Sequence, residues 1–177
     1  MLEYLILGSL TINDMSGYEI KKLMSNSTAF FSNISDGSLY PTLNRCEKNG
    51  LVRGKELVEN GRYKKIYEIT DEGRKVFTDW LQAPLKPFMF RYEILIRMFF
   101  ARNLSRADFL SLIDQHIQQL TDLNEQLQNI EKKQAKHIDE FQLATLHFGR
   151  DFYDFLITWY EKYVTEMEGS DGGNYTD

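Results

Sequence analysis

Apolar positions along residues 1–82 change period repeatedly at glycine, asparagine and serine breaks, whereas residues 91–167 run in long helical periods. Leu2, Leu5, Ile6 and Leu10 recur at helical spacing and predict a short first helix. Asn13, Asp14, Ser16 and Gly17 are turn formers. Ser16 followed three residues later by Glu19 reads as a capping box for a second helix with Tyr18, Ile20, Leu23 and Met24 on its apolar side. Ser35-Asp36-Gly37-Ser38 opens a third helix, with Leu39, Leu43 and Cys46 at near-helical spacing and Gly50 as its left-handed stop. Its first residue stays open. With Ser38 as N-cap, Pro41 sits in the first turn, where its missing N–H costs little. With Ser35 as N-cap it sits deeper and one helical hydrogen bond is lost.

Residues 51–69, LVRGKELVENGRYKKIYEI, carry the clearest β pattern. Asn60-Gly61 suits a two-residue type I′ turn, because both positions need positive φ. Tyr63, Tyr67 and Ile69 alternate with polar residues on the return strand. Thr70 then caps a helix with Asp71 and Glu72 in its first turn and Val76, Phe77, Trp80 and Leu81 on its apolar side. Pro84 and Pro87 break the pattern within residues 83–90. The expected organisation is residues 1–85 as one domain, 86–168 as a helical domain and 169–177 as a disordered tail without apolar periodicity. The order helix, helix, helix, hairpin, helix describes a winged helix-turn-helix. The fold class is therefore mainly α with a small β component (α+β): an N-terminal winged helix-turn-helix with a two-stranded wing, and a C-terminal long-helix dimerisation domain.

In the second half, Tyr92, Leu95, Ile96, Phe99 and Phe100 predict a helix of about three turns. Ser105, with Asp108 three residues on, caps the next. Its stripe is Phe109, Ile113, Leu120, Leu123, Leu127 and Ile130, interrupted by His116. A fully helical 105–135 is a rod of about 46 Å at about 1.5 Å per residue. A last helix, roughly 139–167, carries Phe141, Phe148, Phe152, Phe155, Trp159 and Tyr163. Two helices this apolar exceed what an 82-residue neighbour can cover, so the excess predicts a two-fold dimer.

Composition bounds the reading. The 177 residues are 42% apolar and 27% charged, as in ordinary folded soluble domains. The single cysteine, Cys46, has no intramolecular partner, which fits a reducing cytosol and a small partly buried helix residue better than a redox sensor. The start MLEYLILGSL lacks a basic n-region, and no apolar run approaches the ~18–20 residues that span a bilayer, so the expectation is a cytoplasmic protein without a membrane partner.

Net charge is −5, but it is unevenly placed. Residues 1–80 hold 11 Lys/Arg and 11 Asp/Glu, and residues 45–75 hold nine basic against six acidic. The positive excess coincides with the third helix and the hairpin. That helix offers Ser38, Tyr40, Thr42, Asn44 and Arg45 to a major groove, where Asn and Arg can pair bidentately with adenine and guanine. The hairpin offers Arg62, Tyr63, Lys64 and Lys65 to phosphate or a minor groove, and Lys21 and Lys22 add candidate phosphate contacts. Plainer readings stand beside these. Tyr40 also fits a core aromatic, and Lys64 and Lys65 fit solvent-facing strand residues. The whole domain also fits a protein-binding adaptor, and the whole chain a small-molecule sensor without direct DNA readout.

Enzymatic signatures are missing. His116, His137 and His147 have no metal-ligand spacing, Cys46 has no partner ligand, and there is no phosphate-binding glycine motif or GxSxG, so the expectation is a non-enzyme without cofactor.

The blocks SGYEIKK, DGSLYPTLNRCEKNGLV and GRYKKIYEITDEGRK, in this order and spacing, resemble the signature of the PadR family of bacterial transcriptional regulators. RYEILIRMFFARNLSR and the chain length are similar to the larger PadR subfamily, which has a helical dimerisation region. Cys46, where relatives more often carry a larger apolar residue, and the mild wing GRYKK are departures. The resemblance implies a homodimeric repressor on a palindromic double-stranded operator. By position it puts Ser38, Tyr40, Pro41, Asn44 and Arg45 on the reading helix, Arg62, Lys64 and Lys65 on the wing, and Tyr18 at a phosphate. It also implies release by a small aromatic effector in some members. Here Phe148, Phe152, Trp159, Tyr160 and Tyr163 are candidates to line such a pocket, with His116, His147 or Arg150 facing a carboxylate. The same aromatics at helical spacing also read as dimer core.

Overall fold

The first helix, α1 (Leu2–Ile12), is apolar along most of its length, and a core assembles around it. Ile6, Leu7 and Leu10 from α1 meet Ile20 and Met24 from α2 (Gly17–Ser27), and Leu39, Leu43 and Cys46 from α3 (Asp36–Lys48). Val52 from β2 (Val52–Glu59), Tyr67 and Ile69 from β3 (Arg62–Ile69), and Leu51 between α3 and β2 close it. Each such side chain, once buried, stabilises the fold by about 1.5–3 kcal/mol. α4 (Asp71–Gln82) packs back on α1: Trp80 stacks on Tyr4 at 4.4 Å, and Phe77 lies so close to Gly8 that an added Cβ would meet its ring at 2.9 Å. Leu81 departs from the predicted apolar side of α4 and is exposed.

The structure is a computed structural model and describes residues 1–27, 35–59, 62–87, 92–134 and 138–169. The predicted Asn60-Gly61 turn, His137 and the tail from Ser170 lie outside these residues. Two compact units result, Met1–Pro87 and Phe88–Asp177. Among the described residues no helix is long and apolar enough to cross a membrane.

In the first unit, helices α1 to α3, the β2–β3 hairpin and α4 make the winged helix-turn-helix. Strand pairing runs from Val52↔Ile69 to Glu59↔Arg62, which leaves Asn60 and Gly61 as the whole connection. The sheet has a third strand that the sequence pattern missed. β1 (Met15–Ser16) pairs Met15↔Tyr67 and Ser16↔Ile66, giving the order β1-β3-β2. Two residues are too few to show alternation.

Helix α3 takes the deeper start. Ser35 is its N-cap, and its carbonyl accepts from the N–H groups of Ser38 at 3.1 Å and Leu39 at 3.0 Å. Pro41 therefore lies inside the helix and frees the Gly37 carbonyl, but Gly37 is exposed, where water can serve it. At the other end Gly50 has φ 72°, and paired bonds from Gly50 N–H to the Glu47 carbonyl (3.0 Å) and from Leu51 N–H to the Cys46 carbonyl (2.9 Å) form a Schellman stop. The Thr70 hydroxyl caps α4 by accepting from Gly73 N–H at 3.0 Å.

The second unit consists of α5 (Glu93–Phe99), a 3₁₀ turn at Ala101–Asn103, α6 (Arg106–Gln134) and α7 (Glu140–Gly169). α5 is shorter than its pattern predicts because Phe100 leaves helical geometry at φ −103°, ψ 12°. Ser105 caps α6: its hydroxyl accepts from Asp108 N–H at 3.1 Å and donates to the Asp108 carboxylate at 2.6 Å. α6 and α7 pack antiparallel, with Phe109 against Tyr163, His116 against Tyr160, and Asn124 bonded to Asp154 at 2.5 Å.

Two rows differ from the sequence reading. On α6, Asn124 replaces Leu123 in the buried row, because a straight helix of 3.6 residues per turn drifts from a strict heptad. On α7 the buried row is Leu146, Gly149, Tyr153, Leu156 and Tyr160, while Phe141, Phe148, Phe155 and Trp159 are exposed. Leu95, Ile96, Phe99 and Phe100 are likewise exposed, and Ile94 is the buried residue of α5.

A Cβ at Gly73 would lie 2.1 Å from the Leu51 carbonyl oxygen, a backbone atom with no side-chain freedom. Gly73→Ala should therefore cost the first unit about 1–3 kcal/mol, read as a lower urea midpoint. Gly37→Ala, whose Cβ meets only Ser35 Oγ at 3.8 Å in the first turn of α3, should leave the midpoint unchanged or raise it.

Candidate nucleic-acid interface

The site starts at the entry to α2. Ser16 N–H and Ser16 Oγ both donate to Glu19 Oε2 at 2.7 Å, and Glu19 N–H returns to Ser16 Oγ at 3.3 Å. This capping box leaves Glu19 Oε1 free to accept from Lys64 Nζ at 3.0 Å. With three donors on it, the carboxyl is held at about 2 instead of 4.5, chiefly by the Ser16 hydroxyl and N–H and then by Lys64.

Between the start of α2, the outer face of α3 and the hairpin runs an open groove of about 550 Å³, lined by Tyr18, Lys22, Tyr40, Tyr63, Lys64 and Lys65 among others. Tyr18 is 69% and Tyr63 87% exposed, so their rings face solvent without a packing role. Tyr40 is not a core aromatic: it is 45% exposed, although one edge of its ring packs on α2. Its ring edge rests where a Cβ on Gly17 would meet it at 2.7 Å, yet the residue remains exposed along the groove. Gly17 thus lets α3 approach the start of α2 closely.

Pro41, Asn44 and Arg45 are exposed on α3, and Arg45 Nε lies 3.8 Å from Glu3 Oε2. The Ser38 hydroxyl donates to the Ser35 carbonyl at 2.9 Å at the edge of the same face. Thr42 does not join them. It is 6% exposed, and its hydroxyl is spent on the Ser38 carbonyl at 2.8 Å. Lys22 is exposed, and no ion pair occupies it among the described residues, whereas Lys21 is held by Asp36 at 2.7 Å. Arg62 begins β3, and its side chain is not among those described.

Neither wing lysine is a bare cation: Lys64 pairs with Glu19, and Lys65 with Glu47 at 2.7 Å. Sequence reasoning assigned Glu19 to the cap alone and gave Glu47 no part. Partners 45 and 18 residues apart leave no local pattern. Cys46 is fully buried and its thiol is pushed up to about 11, mainly by burial and then by Glu3. That is an inert packing residue.

The second unit does not bring the four effector candidates together. His116 bonds to the Tyr92 hydroxyl at 2.5 Å and lies edge-on to the buried Tyr160 ring at 5.3 Å, and burial lowers its pKa. Phe148 stacks on Phe152 at 6.2 Å on the exposed side of α7, and Trp159 stacks on Tyr163 at 5.5 Å. His147 and Arg150 both engage Glu131.

Residues 6–79 match the model of the transcriptional regulator PadR-like family, and residues 90–168 match that of the virulence activator alpha C-terminal region. This chain is a member of the PadR family of transcriptional regulators. The negative transcriptional regulator PadR of Bacillus subtilis is 25% identical over 84% of this chain and 83% of its own length. A PadR-like transcriptional regulator from Bacillus cereus superposes with a TM-score of 0.85 at 27% identity, covering 96% of this chain and 99% of that one. Bacillus subtilis PadR with operator DNA superposes with a TM-score of 0.81 at 22% identity over 93% and 98% of the two chains. The same regulator with p-coumaric acid gives 0.77 at 21% over 94% and 98%.

Because the folded value of Glu19 lies below its unfolded one, the carboxylate contributes stability that is fully present above pH 4.5 and is lost as pH falls through about 2. A carboxyl titration by NMR should place the Glu19 midpoint near 2. Glu19→Gln should lower stability at neutral pH and remove this part of the acid limb of the unfolding curve.

Proposed function

We propose that this PadR-family protein is a cytoplasmic, sequence-specific DNA-binding regulator that acts as a homodimeric repressor on an inverted-repeat operator. The observation that carries the reading is the groove of the first unit. It brings exposed Tyr18, Lys22, Tyr40 and Tyr63 together with the Lys64 edge of the wing, and Asn44 and Arg45 stand exposed further along α3. α3 enters a major groove with Ser38, Tyr40, Pro41, Asn44 and Arg45 toward the bases. Tyr18, Lys22, Arg62, Tyr63 and Lys64 meet phosphates or the adjacent minor groove.

Support for the dimer comes from the second unit. Phe141, Phe148, Phe155 and Trp159 stand exposed on α7, an apolar face that one copy leaves in water. A second copy covering it presents two reading helices about 34–36 Å apart, one turn of duplex. A PadR relative holding operator DNA and the same relative holding p-coumaric acid support operator binding and release by a small aromatic acid. The aromatic stripe of Phe148, Phe152 and Trp159 is the effector candidate. It becomes enclosed only when another surface closes over it. His116, committed to Tyr92, takes part only if that bond opens.

Selection of genomic duplexes by the purified protein tests the reading, with a recovered palindrome as the expected result. On that duplex, Asn44→Ala and Arg45→Ala should each relax discrimination at one base position by about 1–3 kcal/mol. Lys22→Ala should weaken all sequences alike and reduce the slope of log affinity against log salt by about 0.9 for each phosphate that Lys22 neutralises. Absence of salt-dependent duplex binding would leave a protein-binding winged helix instead.

A further inference from the structure

Lys65 occupies a more constrained place than a wing cation should. Its ammonium lies 2.7 Å from Glu47 Oε2, in the last turn of α3, and 5.3 Å from the centre of the Tyr67 ring. The second oxygen of the same carboxylate, Oε1, accepts from the Gly54 N–H at 3.1 Å. Gly54 is on β2, an outer strand of the sheet, so that N–H has no strand partner on its outward side. The lysine stem crosses Gly54 itself. A Cβ there would lie 2.1 Å from Lys65 Cε and 2.6 Å from Glu47 Oε1. One carboxylate thus ties the end of α3 to both strands of the hairpin, over the one residue in β2 without a side chain.

We infer that Glu47, Gly54 and Lys65 form a clamp that sets the wing at a fixed angle to α3, making Lys65 a positioning residue of the DNA-binding surface and not a phosphate ligand. This rests on the DNA-binding reading above. A two-stranded ribbon is marginally stable alone and swings at its base unless tied. A winged helix must place its helix and its wing on the duplex together, so the angle between them is fixed in advance of binding or ordered at the cost of affinity. Lys65, already neutralised, has no uncompensated charge with which to displace a counterion. Opening the pair to reach a phosphate would also leave the Glu47 carboxylate bare next to the polyanion.

Two variants that keep net charge constant separate positioning from phosphate contact. Gly54→Ala displaces the flexible ends of Lys65 and Glu47 without straining the backbone, because Gly54 has no positive φ. The double variant Glu47→Gln, Lys65→Met deletes the pair. Both are measured against wild type on the genomically selected duplex and on a mixed-sequence duplex of equal length, across a salt series. Thermal unfolding confirms that each is folded.

The clamp predicts about fivefold weaker binding to the selected duplex in each variant, a smaller loss on mixed sequence and an unchanged salt slope. In the free protein, hydrogen exchange at the Gly54 amide should quicken in Gly54→Ala. A phosphate-ligand Lys65 predicts instead that Gly54→Ala, which frees the ammonium, binds as well as wild type or better. It also predicts that the double variant loses about 0.9 from the slope per subunit. That pair of results overturns the clamp while leaving DNA binding intact. A wild-type protein without salt-dependent duplex binding fails the underlying reading, and the clamp's role with it.

Discussion

The corner at Gly50-Leu51 fixes the geometry of the first unit. Gly50 enters the left-handed region, Leu51 N–H closes the end of α3, and the Leu51 side chain enters the core. The Leu51 carbonyl accepts from Thr70 N–H at 3.1 Å, the Thr70 hydroxyl donates to the adjacent Gly50 carbonyl at 2.7 Å, and Gly73 packs directly against the Leu51 carbonyl. The end of α3, the base of the hairpin and the start of α4 are therefore defined by one peptide. A backbone group this enclosed must be satisfied in full, which explains why a glycine, a threonine and a second glycine surround it.

The groove wall between α2, α3 and the wing is built on the same economy of groups. Glu19 closes a helix and holds a lysine, Glu47 closes a strand edge and holds another, and Gly17 and Gly54 are bare because Tyr40 and Lys65 lie over them. The wall is consequently less cationic than its count of lysines suggests. Among the described residues its exposed chemistry is largely aromatic and amide, from Tyr18, Tyr40, Tyr63 and Asn44, with Lys22 and Arg45, the latter 3.8 Å from Glu3, adding charge.

Local signals in the chain carried most of the first unit. The capping box at Ser16, the caps at Ser105 and Thr70 and the Gly50 stop each show in three or four consecutive residues, and each forms as read. What local pattern does not hold is pairing across distance: β1 on β3, Lys64 on Glu19, Lys65 on Glu47. In the second unit the failure has a different cause. α7 carries two apolar rows, and the more conspicuous one, rich in Phe and Trp, faces outward while Tyr153, Leu156 and Tyr160 fill the inward one. Periodicity finds a stripe but does not say which of two stripes meets the neighbouring helix. The Asn124–Asp154 bond shows the same limit, since a polar pair in a seam is invisible to hydrophobic spacing.

The burial of Cys46 has a practical corollary. It is the chain's single thiol, and it sits on the buried face of α3 in the first unit's core. A sulfhydryl reagent therefore meets a reactive group only in molecules whose winged-helix half has come apart. Labelling rate becomes a site-selective clock for that half, silent to whatever the long helices do, and the intact molecule needs no reductant to keep its one thiol out of intermolecular bridges.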